Sequence, residues 1–144
     1  MSQQTKAIPD GFHTVNVHLT VENASEQIAF LKQAFGGIEL HCSKTPDGRI
    51  LNAQVKIGDS TIMVGESKPR PATMYVYLPD VDAAYKRALE AGAKSLREPR
   101  DEFYGDRSGG VEDPAGNQWW IATHIEDVSH EESERRFAAM RHKH

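Results

Sequence analysis

The chain has 144 residues, a length that suits one domain with a core of its own. Hydrophobic residues make up 38%, charged residues 26% and the formal net charge is −4, so the composition is globular and lacks the basic excess of a nucleic-acid-binding surface. No apolar run reaches the ~20 residues of a membrane helix, the polar N-terminus does not look like a signal peptide, and the one cysteine excludes an internal disulfide. We therefore expect cytoplasmic localisation and neither a nucleic-acid nor a membrane partner.

A strand followed by a capped helix is predicted near the N-terminus. Residues 15–21 alternate between apolar and polar, Asn23 is suited to cap a helix, and Glu26 stands in the capping-box position. Gly36 and Gly37 end the apolar helical stripe. Three further strands are predicted, separated by turns at 45–48 and 58–60: Ile38–Ser43, Ile50–Ile57 and Thr61–Val64.

The second half of the chain repeats the first at an offset of 57 residues, the spacing between Val21 and Leu78. Asp80 caps its helix, and Gly92 ends it. The strands predicted after this helix cover Lys94–Arg97, Gly110–Glu112 and Gln118–Thr123, with a loop at 103–107. Each half therefore has the order βαβββ, and a repeated unit of this kind buries its apolar face against its neighbour.

The predicted fold class is α+β. Two βαβββ modules, 11–66 and 72–124, form a curved mixed sheet, or cup, with helices on its outer face. A C-terminal helix lies in 127–144, where Ser129 and Glu132 form another capping box. The whole chain, 1–144, is expected to be a single domain.

The strands also indicate where a ligand would bind. Alternation places apolar residues on the side that meets the helices and leaves polar and aromatic side chains on the opposite side. His18, Tyr75, Tyr77 and Trp120 share that second side, and amphipathic rings of this kind are typical of a binding cavity. A dimer surface and plain packing remain the alternatives.

Three segments resemble the vicinal oxygen chelate superfamily, which includes glyoxalase I, bleomycin-resistance proteins and extradiol dioxygenases. They are His18-Leu19-Thr20-Val21, the stretch from Leu78 to Ala83, and Asp113-Pro114-Ala115-Gly116-Asn117. Tyr104-Gly105-Asp106-Arg107 looks most like the PhnB-like branch. The resemblance covers roughly residues 11 to 124 and implies a homodimer, often with cavities between the chains.

The resemblance also implies where metal ligands would lie. Metal enzymes of the superfamily take one ligand from the first strand and one from the last strand of each module. These positions fall on Asn16, Met63, Thr73 and Trp120. Indole nitrogen is only a donor, and divalent ions prefer carboxylates and imidazoles, so we expect no metal and no other cofactor. An atypical metal bound through His18 is the alternative.

Function is predicted accordingly. The favoured hypothesis is a metal-independent small-molecule-binding protein of the glyoxalase/bleomycin-resistance type that holds an organic, aromatic ligand in the cup. The alternatives are a metal-dependent glyoxalase- or dioxygenase-like enzyme, which leaves enzymatic activity open, and a homodimeric interaction protein whose cup is filled. Arg107 is either a ligand-binding fork at the cup mouth or the partner of Asp106, Glu112 or Asp113. The predicted ligand-binding residues are His18, Gln54, Tyr75, Tyr77, Arg107 and Trp120.

Overall fold

The computed structural model describes residues 5–141 and contains two βαβββ modules followed by a helix. The first module consists of β1 (Val17–Val21), α1 (Ala24–Phe35), β2 (Ile38–Lys44), β3 (Ile50–Ile57) and β4 (Ser60–Glu66). The second consists of β5 (Thr73–Tyr77), α2 (Val81–Glu90), β6 (Lys94–Asp101), β7 (Asp106–Glu112) and β8 (Gln118–His124). The C-terminal helix is α3 (His130–Arg141). The predicted α+β fold class is confirmed.

The two sheets have the same topology. Their strand orders are β1-β4-β3-β2 and β5-β8-β7-β6, with one parallel pair, β1–β4 or β5–β8, in each and antiparallel pairs elsewhere. Parallel pairing follows from the helix that connects the first strand of each module to the rest, because a crossover of that length returns the chain in the same direction. In both strand orders the first strand of the module lies at one edge of its sheet.

Both helix starts use the predicted caps. Asn23 accepts a hydrogen bond from the Glu26 backbone N–H at 3.1 Å, and Asp80 accepts one from the Ala83 backbone N–H at 3.1 Å. Gly36 ends α1 with a φ of 68°, in the left-handed region that glycine adopts without steric cost. None of the helices in residues 5–141 is long and apolar enough to cross a membrane.

Strand β7 begins at Asp106, whereas the predicted strand begins at Gly110. It therefore includes the last two residues of the loop predicted at 103–107. Glycine is a weak strand former, so Gly105 and Gly109 make the start of this strand hard to recognise in the sequence. In the structure Gly110 lies under the Trp120 ring, where a Cβ would come within 2.4 Å of Cζ3. A Cβ at Gly109 would meet Pro99 at 3.0 Å. These glycines allow close approach of other groups inside a strand, so Asp106 and Arg107 belong to β7.

The apolar faces of both sheets pack into one core. Phe35 of α1 contacts Trp119 of β8 at a ring-centroid distance of 4.9 Å, and the Arg87 guanidinium of α2 donates to the Ala34 carbonyl at 3.3 Å. The core spans both modules and includes Leu19, Leu31, Val55, Val64, Val81, Val111, Trp119 and Ile121. Because both apolar faces meet this core, both polar faces are directed away from it.

A buried carboxylate joins the modules. Asp113, 3% exposed, accepts from the Gln27 side chain of α1 at 2.9 Å and from the Trp119 indole N–H at 2.9 Å. It also accepts from the backbone N–H groups of Ala115 and Asn117 and from the Asn117 side chain. Trp119 lies in the core as predicted, and its one polar side-chain atom is paired. The Asp-Pro turn thus fixes the position of α1 against β8.

Helix α3 packs on the end of the second module. Ser129 caps it by accepting from the Glu132 backbone N–H at 3.1 Å, as predicted, and Phe137 contacts Phe103 at a ring-centroid distance of 5.3 Å. Arg136 forms ion pairs with Glu126 and Glu132. Phe137 is 46% exposed and no residue of α3 is buried, so the helix is held chiefly by polar contacts. The last residues of the predicted tail, 142–144, lie outside the described residues.

Candidate functional site

Strand register places equivalent residues of the two modules side by side. His18 pairs with Met63 across β1 and β4, and Tyr75 pairs with Trp120 across β5 and β8. Both pairs are related by the 57-residue offset of the sequence repeat. Paired residues in neighbouring strands point to the same face. We call the face of the first sheet that carries His18, Met63, Gln54 and His41 the first polar face. We call the face of the second sheet that carries Tyr75, Tyr77, Trp120, Asp106 and His124 the second polar face.

The second polar face contains a buried carboxylate with three donors. Asp106 is 2% exposed. Its Oδ2 accepts from the hydroxyls of Tyr75 at 2.7 Å and Tyr77 at 2.8 Å, and its Oδ1 faces the His124 Nδ1 at 2.8 Å. The His124 Nε2 lies 2.8 Å from the exposed carboxylate of Asp127. Strand β7 thus supplies a negative charge beneath two exposed aromatic rings.

These contacts shift the pKa values of Asp106 and of its three partners. Burial acts to raise the pKa of Asp106, but the hydrogen bonds from His124, Tyr75 and Tyr77 outweigh it, so the pKa lies below its ordinary value. Burial and the hydrogen bonds to Tyr104 and Asp106 raise the pKa of Tyr75, and the hydrogen bond to Asp106 raises that of Tyr77. Hydrogen bonds to Asp106 and Asp127 raise the pKa of His124. The carboxylate therefore stays ionised while both phenols stay protonated.

Trp120 lies flat in the second polar face, between Gly110 and an arginine. The ring occupies the space that a side chain at position 110 would need, since a Cβ there would come within 2.4 Å of it. The Arg97 guanidinium lies over the ring, 5.3 Å from its centroid, and donates to Glu102 and to Ser108. Ser108 is 1% exposed. The floor of this face is thus closed by its own side chains, and Tyr75 and Tyr77, 46% and 60% exposed, rise from it.

The first polar face has a different chemistry. The His18 ring lies over Gly65, where a Cβ would be 3.3 Å from its Cε1. Gln54 lies between Met63 and His41 in the register, and the His41 Nε2 is 2.9 Å from the Ser43 hydroxyl. The Asn52 Oδ1 is buried without a hydrogen-bond partner among residues 5–141. This face presents amides and imidazoles where the second face presents aromatic rings.

Arg107 is separate from the other predicted ligand-binding residues. It pairs with Thr123 in the register, which places it on the helix side of the second sheet. There it forms two hydrogen bonds to Asp82 of α2, at 2.9 and 3.0 Å, and one to Asp101 at 3.1 Å. The expected pairing with Asp106, Glu112 or Asp113 and the position at a cup mouth were both wrong. The reason is that Arg107 belongs to a strand, in which alternation directs it away from Asp106.

The other predicted residues are divided between the two polar faces. His18 and Gln54 belong to the first, and Tyr75, Tyr77 and Trp120 belong to the second. Each of them lies on the polar side of its own strand, as the alternation predicts, but His18 and Gln54 belong to a different sheet from the aromatic residues. Their part in binding stays a prediction.

The residues at the superfamily's metal-ligand positions do not fit a divalent ion. The Asn16 side chain is used in a local turn, accepting from the His13 backbone N–H at 2.9 Å and donating to the His13 carbonyl at 2.7 Å. Met63 offers a thioether and Trp120 a ring packed against Gly110. Within residues 5–141 no group of three or more histidine, cysteine, aspartate or glutamate side chains is arranged to hold a metal. We therefore derive no chemistry through a metal.

Two residues of the second polar face are absent from the predicted ligand-binding set. His124 could have been found by continuing the alternation of β8 from Trp120 through Ala122. Asp106 was missed because the two glycines obscure β7 in the sequence. Only the fold shows that these two residues, which lie far from Tyr75 along the chain, share a single hydrogen-bonded cluster with it.

Comparison with known proteins identifies the family. The sequence profile described as "Glyoxalase/Bleomycin resistance protein/Dioxygenase superfamily" matches residues 11–121. The chain belongs to this superfamily. An uncharacterized protein of Mycobacterium bovis is 32% identical to it, over 80% of this chain and 86% of the relative.

Solved structures agree with this assignment. TioX from Micromonospora sp. ML1 has a TM-score of 0.68 at 23% identity, covering 77% of this chain and 98% of that protein. A protein from Bacillus cereus, described as a putative 3-demethylubiquinone-9 3-methyltransferase and PhnB protein, has a TM-score of 0.64 at 16% identity, covering 77% and 99%. At these identities the likeness shows the shared fold, including that of a PhnB protein.

Proposed function

We propose that this member of the superfamily is a metal-independent protein that binds a small organic, aromatic molecule on its second polar face. The observation that carries the proposal is the residue at the position of the superfamily's metal ligand. Trp120 stands there, and it lies next to Tyr75, which together with Tyr77 exposes a T-shaped pair of rings with centroids 5.2 Å apart. Aromatic rings that are exposed to water on a sheet are stabilised by the hydrophobic effect only when a ligand or another chain covers them.

A second copy of the chain completes the cavity in this proposal. Both polar faces of one chain are directed away from its core, and within residues 5–141 no strand of the first sheet pairs with a strand of the second, so we infer that another chain completes the cavity. In a homodimer, the first polar face of one copy covers the second polar face of its partner. The bound molecule then contacts rings on one side and the amide and imidazole groups of His18 and Gln54 on the other. We therefore expect light scattering to give a molecular mass of twice the 16.1 kDa of one chain.

Tryptophan fluorescence tests the proposal directly. The full chain is titrated with a panel of small aromatic compounds, and the emission is compared with that of the Trp120→Phe variant. That variant keeps Trp119, which is 2% exposed and packed in the core. We expect saturable changes in the natural protein and their loss or strong reduction in Trp120→Phe, because the reporting ring belongs to the second polar face. Silence of the natural protein across the panel would contradict the proposal.

Metal analysis distinguishes the alternative of a metal-dependent enzyme. The purified chain is dialysed against buffer, and Zn, Ni, Mn and Fe are measured by mass spectrometry. We expect substoichiometric amounts of each, because the donors at the superfamily's ligand positions are poor for divalent ions. One equivalent of metal retained after dialysis, and reduced by a His18→Ala substitution, would favour the enzyme instead.

A further inference from the structure

The cluster around Asp106 has used all of its own hydrogen-bond donors. A phenol carries one hydrogen, and the hydrogens of Tyr75 and Tyr77 are directed to Asp106 Oδ2. The two ring nitrogens of His124 both face carboxylates, Asp106 and Asp127. A carboxylate only accepts, so every N–H hydrogen that the imidazole carries is directed to a carboxylate. What the cluster presents to an incoming molecule is therefore lone pairs.

Tyr104 extends the same pattern. Its hydroxyl lies 3.4 Å from the Tyr75 hydroxyl. Because the Tyr75 hydrogen already points to Asp106, Tyr104 is the donor in this contact, and its own oxygen is left to accept. The direction of the chain is thus Tyr104 to Tyr75 to Asp106. Three phenol oxygens on one side of the face accept hydrogen bonds and donate none to a ligand.

The net charge of the cluster also favours a positively charged ligand with hydrogen-bond donors. Asp106 and Asp127 flank one imidazole, so the sum is negative whether His124 is neutral or protonated. The exposed faces of the Tyr75 and Tyr77 rings carry negative π density, which attracts cations. The positive groups of the second polar face include Lys94, Arg97 and Arg100 of the edge strand β6, and the two arginines share the Glu102 carboxylate. Positive charge is thus concentrated at the opposite edge of the face from the tyrosines.

We propose that the cluster of Tyr75, Tyr77, Tyr104, Asp106 and His124 binds the protonated amino group of an aromatic amine. This inference rests on the proposed function and names the class of its ligand. An ammonium group brings three donors and one positive charge, which are the properties that three acceptor oxygens, a net negative charge and two ring faces complement. A carboxylate or phosphate would meet lone pairs and negative charge at the same point.

Matched probes of one size test this assignment. Benzylammonium, benzyl alcohol and phenylacetate share a benzyl group and differ in charge and donors. Their dissociation constants are measured by isothermal titration calorimetry on the full chain at neutral pH. We expect benzylammonium to bind about tenfold more tightly than benzyl alcohol, as charge-assisted hydrogen bonds allow, and phenylacetate to bind most weakly. Equal binding of the three, or preference for phenylacetate, would overturn the inference while leaving the proposed function in place. Absence of binding by all three, while other aromatic compounds of the fluorescence panel bind, would also overturn the inference alone; silence of the whole panel would remove both.

Variants locate the preference. Asp127→Asn removes one negative charge from a fully exposed side chain, so the protein stays folded. We expect it to reduce the preference for benzylammonium over benzyl alcohol about threefold. Asp47→Asn, which neutralises an exposed aspartate in the turn between β2 and β3, is the matched control and should leave the preference unchanged. Tyr77→Phe removes one acceptor and keeps the ring, and Tyr85→Phe, which removes a hydroxyl on α2, is its control. A preference unchanged in both Asp127→Asn and Tyr77→Phe would contradict the inference.

Discussion

The two modules have one backbone plan and two chemistries. Across the first sheet the aligned residues are His18, Met63, Gln54 and His41, and across the second they are Tyr75, Trp120, Gly110 and Arg97. A difference between the modules at one position goes together with a difference at the position beside it on the neighbouring strand. A flexible thioether beside a glutamine in the first module becomes a large ring that needs a glycine beside it in the second. Strand register thus sets which positions share a face, and the size of each side chain limits which residues fit sterically beside it.

The modules also differ beneath the polar faces. The turn before β8 contains Asp113, which gathers five donors from α1, the turn itself and β8. The corresponding turn of the first module contains Asp59, whose exposed carboxylate accepts only from Ser60 among the described side chains. One turn therefore holds the two modules together, while the other only connects two strands.

Replacing that central carboxylate should have the largest effect. In Asp113→Ala the buried donors of Gln27, Asn117 and Trp119 lose their acceptor, and each unsatisfied buried donor costs about 1–3 kcal/mol. We expect the free energy of unfolding to fall by about 3–5 kcal/mol, measured by urea denaturation. Asp59→Ala is the matched control and should change it by less than about 0.5 kcal/mol. Equal effects of the two substitutions would mean that the turns are equivalent.

A methyl group at position 110 should disturb the second module alone. Gly110→Ala places a Cβ 2.4 Å from the Trp120 ring, so the ring must move. We expect a loss of about 1–3 kcal/mol in urea denaturation, the usual cost of overpacking, and a changed tryptophan emission. Combining it with Trp120→Met introduces the thioether that the first module has at this position and should restore part of the stability. Absence of any restoration would show that the ring is not what excludes the side chain.

Removing the Arg107 side chain should have a smaller effect on stability. Its partners Asp82 and Asp101 are exposed, and ion pairs of this kind contribute about 0.2–1 kcal/mol. We therefore expect Arg107→Ala to lower the free energy of unfolding by about 0.5–1 kcal/mol. Because Arg107 lies on the helix side of the sheet, binding of aromatic probes should be unaffected. A tenfold loss of probe affinity in the folded variant would return Arg107 to the ligand site.

The smallest effect should come from the half-exposed His124, and it should depend on pH. Its pKa lies above the ordinary 6.5, so its stabilising contribution is complete below that value and is lost as the pH rises through the raised pKa. The pKa of Asp106 lies below the ordinary 3.8, so its contribution is complete above that value and is lost as the pH falls through the lowered pKa. The contact between His124 and Asp106 therefore makes its full contribution to stability between pH 3.8 and pH 6.5.

Thermal unfolding of the natural protein and His124→Gln measures this dependence. The natural protein should have the higher Tm at about pH 5.5, and the difference should shrink by about pH 9 as the imidazolium loses its proton. His41→Gln is the control, because the His41 imidazole contacts only a serine hydroxyl among the described side chains. A difference that grows with pH would contradict the assigned pairing.

Much of this architecture could be predicted from local patterns. The caps at Asn23 and Asp80, the 57-residue repeat and the faces of β1, β3, β5 and β8 depend on residues close together in the chain, and all agree with the structure. Strand β7 could not be predicted in this way. Its glycines are explained by Trp120 and Pro99, which pack on them from other strands. Arg107 was misplaced as a consequence, because the face of a residue is known only once its strand is known.

The sequence by itself determined the two βαβββ modules, the α+β class and the alternation that separates rings from core, because capping, turn chemistry and period-two patterning act over a few residues. It also determined that the superfamily's ligand positions hold no good metal donors. Only the tertiary structure decided that Asp106, Tyr75, Tyr77 and His124 meet, that Arg107 faces α2, and that Asp113 joins the modules. The hydrogen bonds in these contacts join strands, turns and helices that are distant in sequence, so no local pattern specifies them.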